Sequence, residues 1–324
     1  MWAARAGKTE AAKILLENDA DATATNEFGA TAMHEAVDGN HVEVVQVLVE
    51  RHINPNVQDD RGNTPLMLAA RSGHVEVIRA LMEGPLAVEK EIQNNAGQTA
   101  LTWAVVNGHI KVVRLLMSLG SDPMTLDADG RGILAITAST GQADLMKPML
   151  ESILGAGSAD DMSQPMQKAA LMFSQQDNMG NTCLMAAVRH SGVRGGDPAE
   201  AEAAALDCCK VVLQHETGLD TINMVNNEGD TALIGAVREN RPKVCEYLID
   251  HGADRSIENK WQMAAAFLGC VSLQQLAYRP SCSFADTFRR CVTRTQARNG
   301  PRRVRSTVCR RSACETCNPG REFR

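Results

Sequence analysis

Short apolar stretches alternate with polar turns along this chain, and they come in pairs. The first stretch of a pair carries apolar or small side chains four, seven and eight residues after a glycine, which marks one face of a short helix. The second stretch, as in HVEVVQVLVE, HVEVIRALME, HIKVVRLLMS and PKVCEYLID, reads as a second helix. Each unit is therefore predicted to run turn, helix, turn, helix. An all-α chain is therefore expected.

The units can be aligned on six glycines, Gly29, Gly62, Gly97, Gly130, Gly180 and Gly229, separated by 33, 35, 33, 50 and 49 residues. Three residues before each stands Asn26, Asp59, Asn94, Asp127, Asp177 or Asn226. Two residues after, five of the six units have Thr31, Thr64, Thr99, Thr182 or Thr231, and four after comes Met33 or a leucine, as at Leu101. Seven after comes alanine, except at Thr137. Each position has a physical meaning. Asn or Asp bonds nearby backbone groups, and glycine supplies a positive φ, so the four residues form a turn. The threonine is a helix N-cap, followed in one unit by Pro65 at the first helical position. Gly73, Gly108, Gly141 or Asn240 then ends the first helix.

With these landmarks in place, GNTPLMLAARSGHVEVIRALME and GDTALIGAVRENRPKVCEYLIDHGAD resemble the ankyrin repeat, which has a 33-residue period and a T-P-L-H-x-A signature. The resemblance covers roughly residues 2–260. It implies L-shaped units stacked as a curved solenoid of about six to seven repeats. It also implies a non-catalytic protein–protein interaction scaffold that uses the concave face and the turn tips. Two departures stand out. His34 alone occupies the histidine place of the signature, and the unit from Gly130 has Gly132 where the others have threonine. Lys147-Pro148 also falls inside the second helix of that unit, so it is expected to be the weak joint of the array.

Two units are longer than the others by about 16 residues. In one, residues 151–176 are expected to form a loop plus a helical turn or two. In the other, SGVRGGDPAEAEAAALDCC is expected to form a loop, capped by Asp197-Pro198, and then an N-terminal extension of the second helix. Both are expected to be tolerated surface insertions, with a partner-binding arm as the sharper alternative. The first unit starts mid-repeat, with Gly7 at a helix-ending position, which suggests truncation there.

Charge changes the picture at the far end. The net charge of −6 combines −15 over residues 1–260 with +9 over residues 261–324. An acidic array disfavours phosphate backbones, so nucleic-acid binding by the array is not expected. The division is expected between an array at 1–264 and an irregular Arg- and Cys-rich tail at 265–324. Asn259-Lys260-Trp261-Gln262 begins a seventh turn before the pattern fades. The tail has twelve arginines and no lysine from residue 261 onward. The readings for it are a frameshifted or intron-derived end, a disordered basic tail that offers a nucleic-acid-binding alternative, and, least supported, a zinc site at Cys309, Cys314 and Cys317. No run of 18 apolar residues and no signal-like leader is seen, which favours a cytoplasmic or nuclear setting. Cys183, Cys208, Cys209 and Cys245 sit in helical apolar patterns, as expected of reduced thiols.

No phosphate loop, dinucleotide fingerprint or nucleophile elbow is found, so neither a catalytic residue nor a cofactor or metal site is expected. His41, His74 and His109 repeat at one place in successive units, but packed helices lie too far apart for them to share an ion. They are expected to make local hydrogen bonds at the start of the second helix. The candidate protein-binding residues are turn-tip side chains: Phe28, Asp60, Arg61, Asn95, Gln98, Asp129, Arg131, Asn178, Asn227 and Glu228. Glu27, Asn63, Met179, Asn181 and Asp230 occupy related tip positions. Phe28 is the best single candidate, because an exposed aromatic suits an interface anchor. A second possibility is a regulatory or targeting segment of a larger enzyme or channel.

Overall fold

The computed structural model describes residues 1–154, 163–189, 197–261 and 263–264. All described residues belong to the unit Met1–Leu276. The expectations for the tail at 265–324 therefore lie outside the described residues, as do the loops at 155–162 and 190–196.

The described residues are helical, with one isolated β-bridge between Glu258 and Ala264 and no named strand. Helices α1 (Trp2–Arg5) and α2 (Thr9–Glu17) form a short first pair. Four pairs follow: α3 (Ala32–Asp38) with α4 (Val42–Glu50), α5 (Pro65–Ser72) with α6 (Val75–Met82), α7 (Ala100–Val106) with α8 (Ile110–Ser118), and α9 (Ile133–Ser139) with α10 (Ala143–Leu154). An extra helix, α11 (Ser163–Ser174), precedes α12 (Cys183–Val188) and α13 (Pro198–Leu213). The short α14 (Glu216–Leu219) then leads to α15 (Ala232–Arg238) and α16 (Pro242–Asp250).

The pairs stand in file. First helices pack on first helices, from α1 on α3 through α5, α7, α9 and α12 to α15. Second helices do the same, from α2 on α4 through α6, α8, α10 and α13 to α16. One continuous apolar cluster runs through the stack from Ala4 to Ala253. The alanine seven residues after each glycine allows the close approach: Ala36, Ala69, Ala104, Ala187 and Ala236 are all fully buried. Leu101, four residues after Gly97, is likewise buried.

The caps behave as their chemistry requires. The Thr64, Thr99, Thr182 and Thr231 hydroxyls accept from the backbone N–H three residues on, at 3.2–3.4 Å. At Thr31 the His34 side chain completes a capping box. The Nδ1 of His34 accepts from the Thr31 N–H at 3.2 Å and lies 2.9 Å from its hydroxyl. The Nε2 lies 3.1 Å from the Asn63 carbonyl of the next turn. A carbonyl only accepts, so Nε2 carries the proton and the ring is neutral. Burial holds the His34 pKa below its ordinary value, with the Asn63 carbonyl and the nearby Asp59 and Glu35 acting in the other direction.

His41, His74 and His109 do not bond locally, contrary to the expectation. Each N-caps a second helix and donates to a carbonyl of the preceding unit: Arg5 at 3.0 Å, Val37 at 3.0 Å and Arg71 at 2.8 Å. They are rivets between units, not helix-local contacts.

The insertions also differ from expectation. Residues 163–174 form three helical turns, and the buried side chains of Ala169, Met172 and Phe173 belong to the common core. Phe173 is fully buried, with its ring 5.7 Å from that of His215. In the other insertion, Asp197 caps α13 by accepting from the Ala199 N–H at 3.0 Å, as expected. The extended helix is not a free arm. Arg241, 6% exposed, donates to the Ala201 carbonyl at 3.3 Å, and Glu202 accepts from the Lys243 N–H in the first turn of α16 at 2.8 Å. In the unit lacking the threonine cap, α9 still forms, and α10 runs through Pro148 to Leu154. Glycine in place of threonine at an N-cap costs only a few tenths of a kcal/mol.

Candidate protein-binding surface

Each turn tip is built the same way. The side-chain oxygen of the Asn or Asp accepts two backbone N–H groups, two and four residues ahead. Asn26 takes those of Phe28 and Ala30, Asp59 those of Arg61 and Asn63, and Asn226 those of Glu228 and Asp230. Asn259 does the same with Trp261 and Met263, so a seventh tip is present.

Successive tips are joined by their backbones. The N–H of Asp60 donates to the Phe28 carbonyl, Asn95 to Arg61, Ala128 to Ala96, Asn178 to Asp129, Asn227 to Met179 and Lys260 to Glu228, all at 2.9–3.1 Å. Glycine is required at these tips twice over. At Gly97, φ is +70°, and a Cβ there would overlap the backbone nitrogen of Ala128 in the next tip. Glutamines beneath the tips add a second set of rungs. The Gln58 amide donates to the carbonyls of Gly62 and Gln93, Gln93 to those of Gly97 and Leu126, and Gln176 to those of Gly180 and Val225.

This ladder sorts the candidate residues. Phe28 is 65% exposed, and Asp60 and Arg61 are exposed on the next tip. Asn95, Asn178 and Asn227 are exposed, but their amides donate back to the carbonyls of Asp60, Ala128 and Asn178 in the preceding tip, at 3.0–3.1 Å. Gln98 is half-buried beside Asn94. Arg131 grips the buried Asp127 at 2.8 Å and reaches the exposed Asp129 at 3.1 Å. Glu228 is half-buried, 4.0 Å from Arg238. Asn63, Asn181 and Asp230 are buried, which corrects their placement as accessible tip residues. They are consumed in bonds to Asn94, Asn226 and Asn259 of the next turns, at 2.8–3.0 Å.

A family model described as ankyrin repeats in three copies matches residues 1–59, 51–127 and 199–259, more than half of the chain. The chain is an ankyrin-repeat protein. No match to a curated protein was found. Between the second and third copies the matches leave out 128–198, the stretch with the uncapped Gly132, Pro148, the first insertion and the start of the second. Ankyrin repeats are in general protein–protein interaction modules.

Two groups of side chains on the ankyrin array escaped the sequence reading. Trp261 stands at the seventh tip in the place Phe28 takes at the first, and is 55% exposed. Register alone could have found it. On the first helices, Arg71 lies 2.8 Å from Asp38 and 5.8 Å from the Trp103 ring, in a line from α3 to α7. These residues fall between the core positions of their own helices, and only the stacking of the units brings them into one line.

Burial pushes the thiols of Cys183, Cys208 and Cys245 up to about 12 and raises that of Cys209 as well. Such thiols are protonated packing groups, not nucleophiles. Among the described residues, no cluster of His, Cys, Asp or Glu is arranged to hold a metal ion, and no helix is long and apolar enough to cross a membrane.

Proposed function

We propose that this array is a non-catalytic scaffold that binds another protein through its turn tips and through the face lined by its first helices, the concave face of the family. The observation that supports this best is the backbone ladder along the tips. Inter-tip bonds of 2.9–3.1 Å fix the spacing of the side chains just before each turn glycine, including Phe28, Arg61, Asp129, Met179 and Glu228. A surface whose spacing is set before binding loses less entropy when a partner docks. Acidic side chains outnumber basic ones among the tips, which favours a basic or polar partner surface.

Affinity capture with the full chain, followed by mass spectrometry, tests the proposal. Proteins retained by the wild type should be lost from a variant with the exposed tip side chains removed together, Phe28→Ala, Asp60→Ala, Arg61→Ala, Met179→Ala, Glu228→Ala and Trp261→Ala, whose helical signal is unchanged. Retention of the same proteins by the wild type and this variant, or by neither, would sink it.

A further inference from the structure

The tips are not equivalent, and the last three described combine apolar exposure with one weakly held carboxylate. Met179 is 57% exposed on the fifth tip and Trp261 is 55% exposed on the seventh. Val225, in the stem of the sixth hairpin, is 43% exposed. Two ladder bonds hold these tips in series, Asn227 N–H to the Met179 carbonyl at 3.0 Å and Lys260 N–H to the Glu228 carbonyl at 2.9 Å. Trp261 is fixed further by donating its own N–H to the Asn259 side chain at 3.0 Å.

Glu228 lies at the centre of this row. Arg238 is committed to Asp230 at 2.8 Å and stands 4.0 Å from Glu228, so the Glu228 carboxylate has only a long-range cation. An aromatic face, a thioether and a carboxylate with spare acceptor capacity suit a guanidinium or ammonium on an aliphatic stem. The ring attracts the cation, the apolar side chains cover the stem, and the carboxylate accepts its donors. The first two tips are less suited to such a group, because Arg61 follows directly on Asp60 beside Phe28. The charge of −15 over residues 1–260 also draws basic partners to the array.

We infer that the row Met179–Glu228–Trp261 is a docking surface for a basic segment of a partner protein, with an arginine or lysine side chain seated between Trp261 and Glu228. This rests on the tip-binding role proposed above and names the partner's chemistry. Lys260, on the same tip as Trp261, and Arg238, 4.0 Å from Glu228, oppose it there.

The test is selection of binders to the full chain from a displayed library of random peptides. Selected peptides should be enriched in Arg or Lys flanked by aliphatic residues. Their affinity should fall about tenfold or more with Trp261→Ala and several-fold with Glu228→Gln, as expected for an anchor and its charged partner. Lys260→Ala should tighten binding about two- to threefold, and Leu171→Ala, an exposed apolar change on α11, should leave it unchanged. Peptides without basic enrichment, no selected peptides, or affinities indifferent to Trp261 and Glu228 would each overturn the inference. Peptides that depend on Phe28 and Asp60 instead would overturn it and leave the tip-binding role standing.

Discussion

A buried leucine and an exposed asparagine occupy neighbouring places in this array, and the structure separates their energetic roles. Leu101 is 1% exposed, so Leu101→Ala is expected to cost about 2–5 kcal/mol in urea melts, from lost burial plus a cavity. Asn95 is at a tip, but its amide donates to the Asp60 carbonyl at 3.1 Å. Asn95→Ala is therefore expected to cost about 0.5–1.5 kcal/mol, more than an unengaged tip residue would. Equal losses from the two would show that the faces are misassigned. His34 makes a pH-dependent contribution. Its folded pKa lies below the usual 6.5, so between the two values the unfolded chain binds more protons. Stability from this group is full above the unfolded pKa and is lost as pH falls through the folded one. Urea stability should thus fall more steeply from about pH 7.5 to about pH 5.5 in the wild type than in His34→Gln. Parallel slopes would mean that the ring is not held neutral.

At the scale of single elements, the caps were legible, and the packing of the insertions was not. Thr64, Thr99, Thr182 and Thr231 announce their helices because the capping hydroxyl acts within three residues of chain. Pro148 lies inside α10, which runs through it from Ala143 to Leu154. Met146, Met149, Leu150 and Ile153 are buried along α10, and that burial outweighs the lost hydrogen bond. Helix α11 is the clearest gain from the structure. Phe173 is fully buried beside His215, so Phe173→Ala is expected to cost about 3–5 kcal/mol. A loss near zero in a thermal or urea melt would return this segment to the status of a tolerated surface insertion. The extension of α13 is likewise fastened to the next unit, by Arg241 and Glu202.

For the array as a whole, each unit touches only its neighbours, so cohesion depends on what crosses from one unit to the next. Beside the continuous apolar seam, polar devices cross: the tip ladder, the asparagine amides, the glutamine rungs and the histidine rivets. The ladder predicts that the turn amides of Asp60, Asn95, Ala128, Asn178, Asn227 and Lys260 are protected from hydrogen exchange. Exchange of these amides at the rate of open loops would contradict the ladder. The sequence by itself determined the period, the turns, the caps and the buried apolar seam, because each is set by residues within one unit. Only the tertiary structure decided which tip side chains stay available, why glycine is required beyond its φ, and that an insertion adds to the core. The contacts that decide these matters join residues some 29–50 positions apart, and along the chain a bonded asparagine is written like a free one.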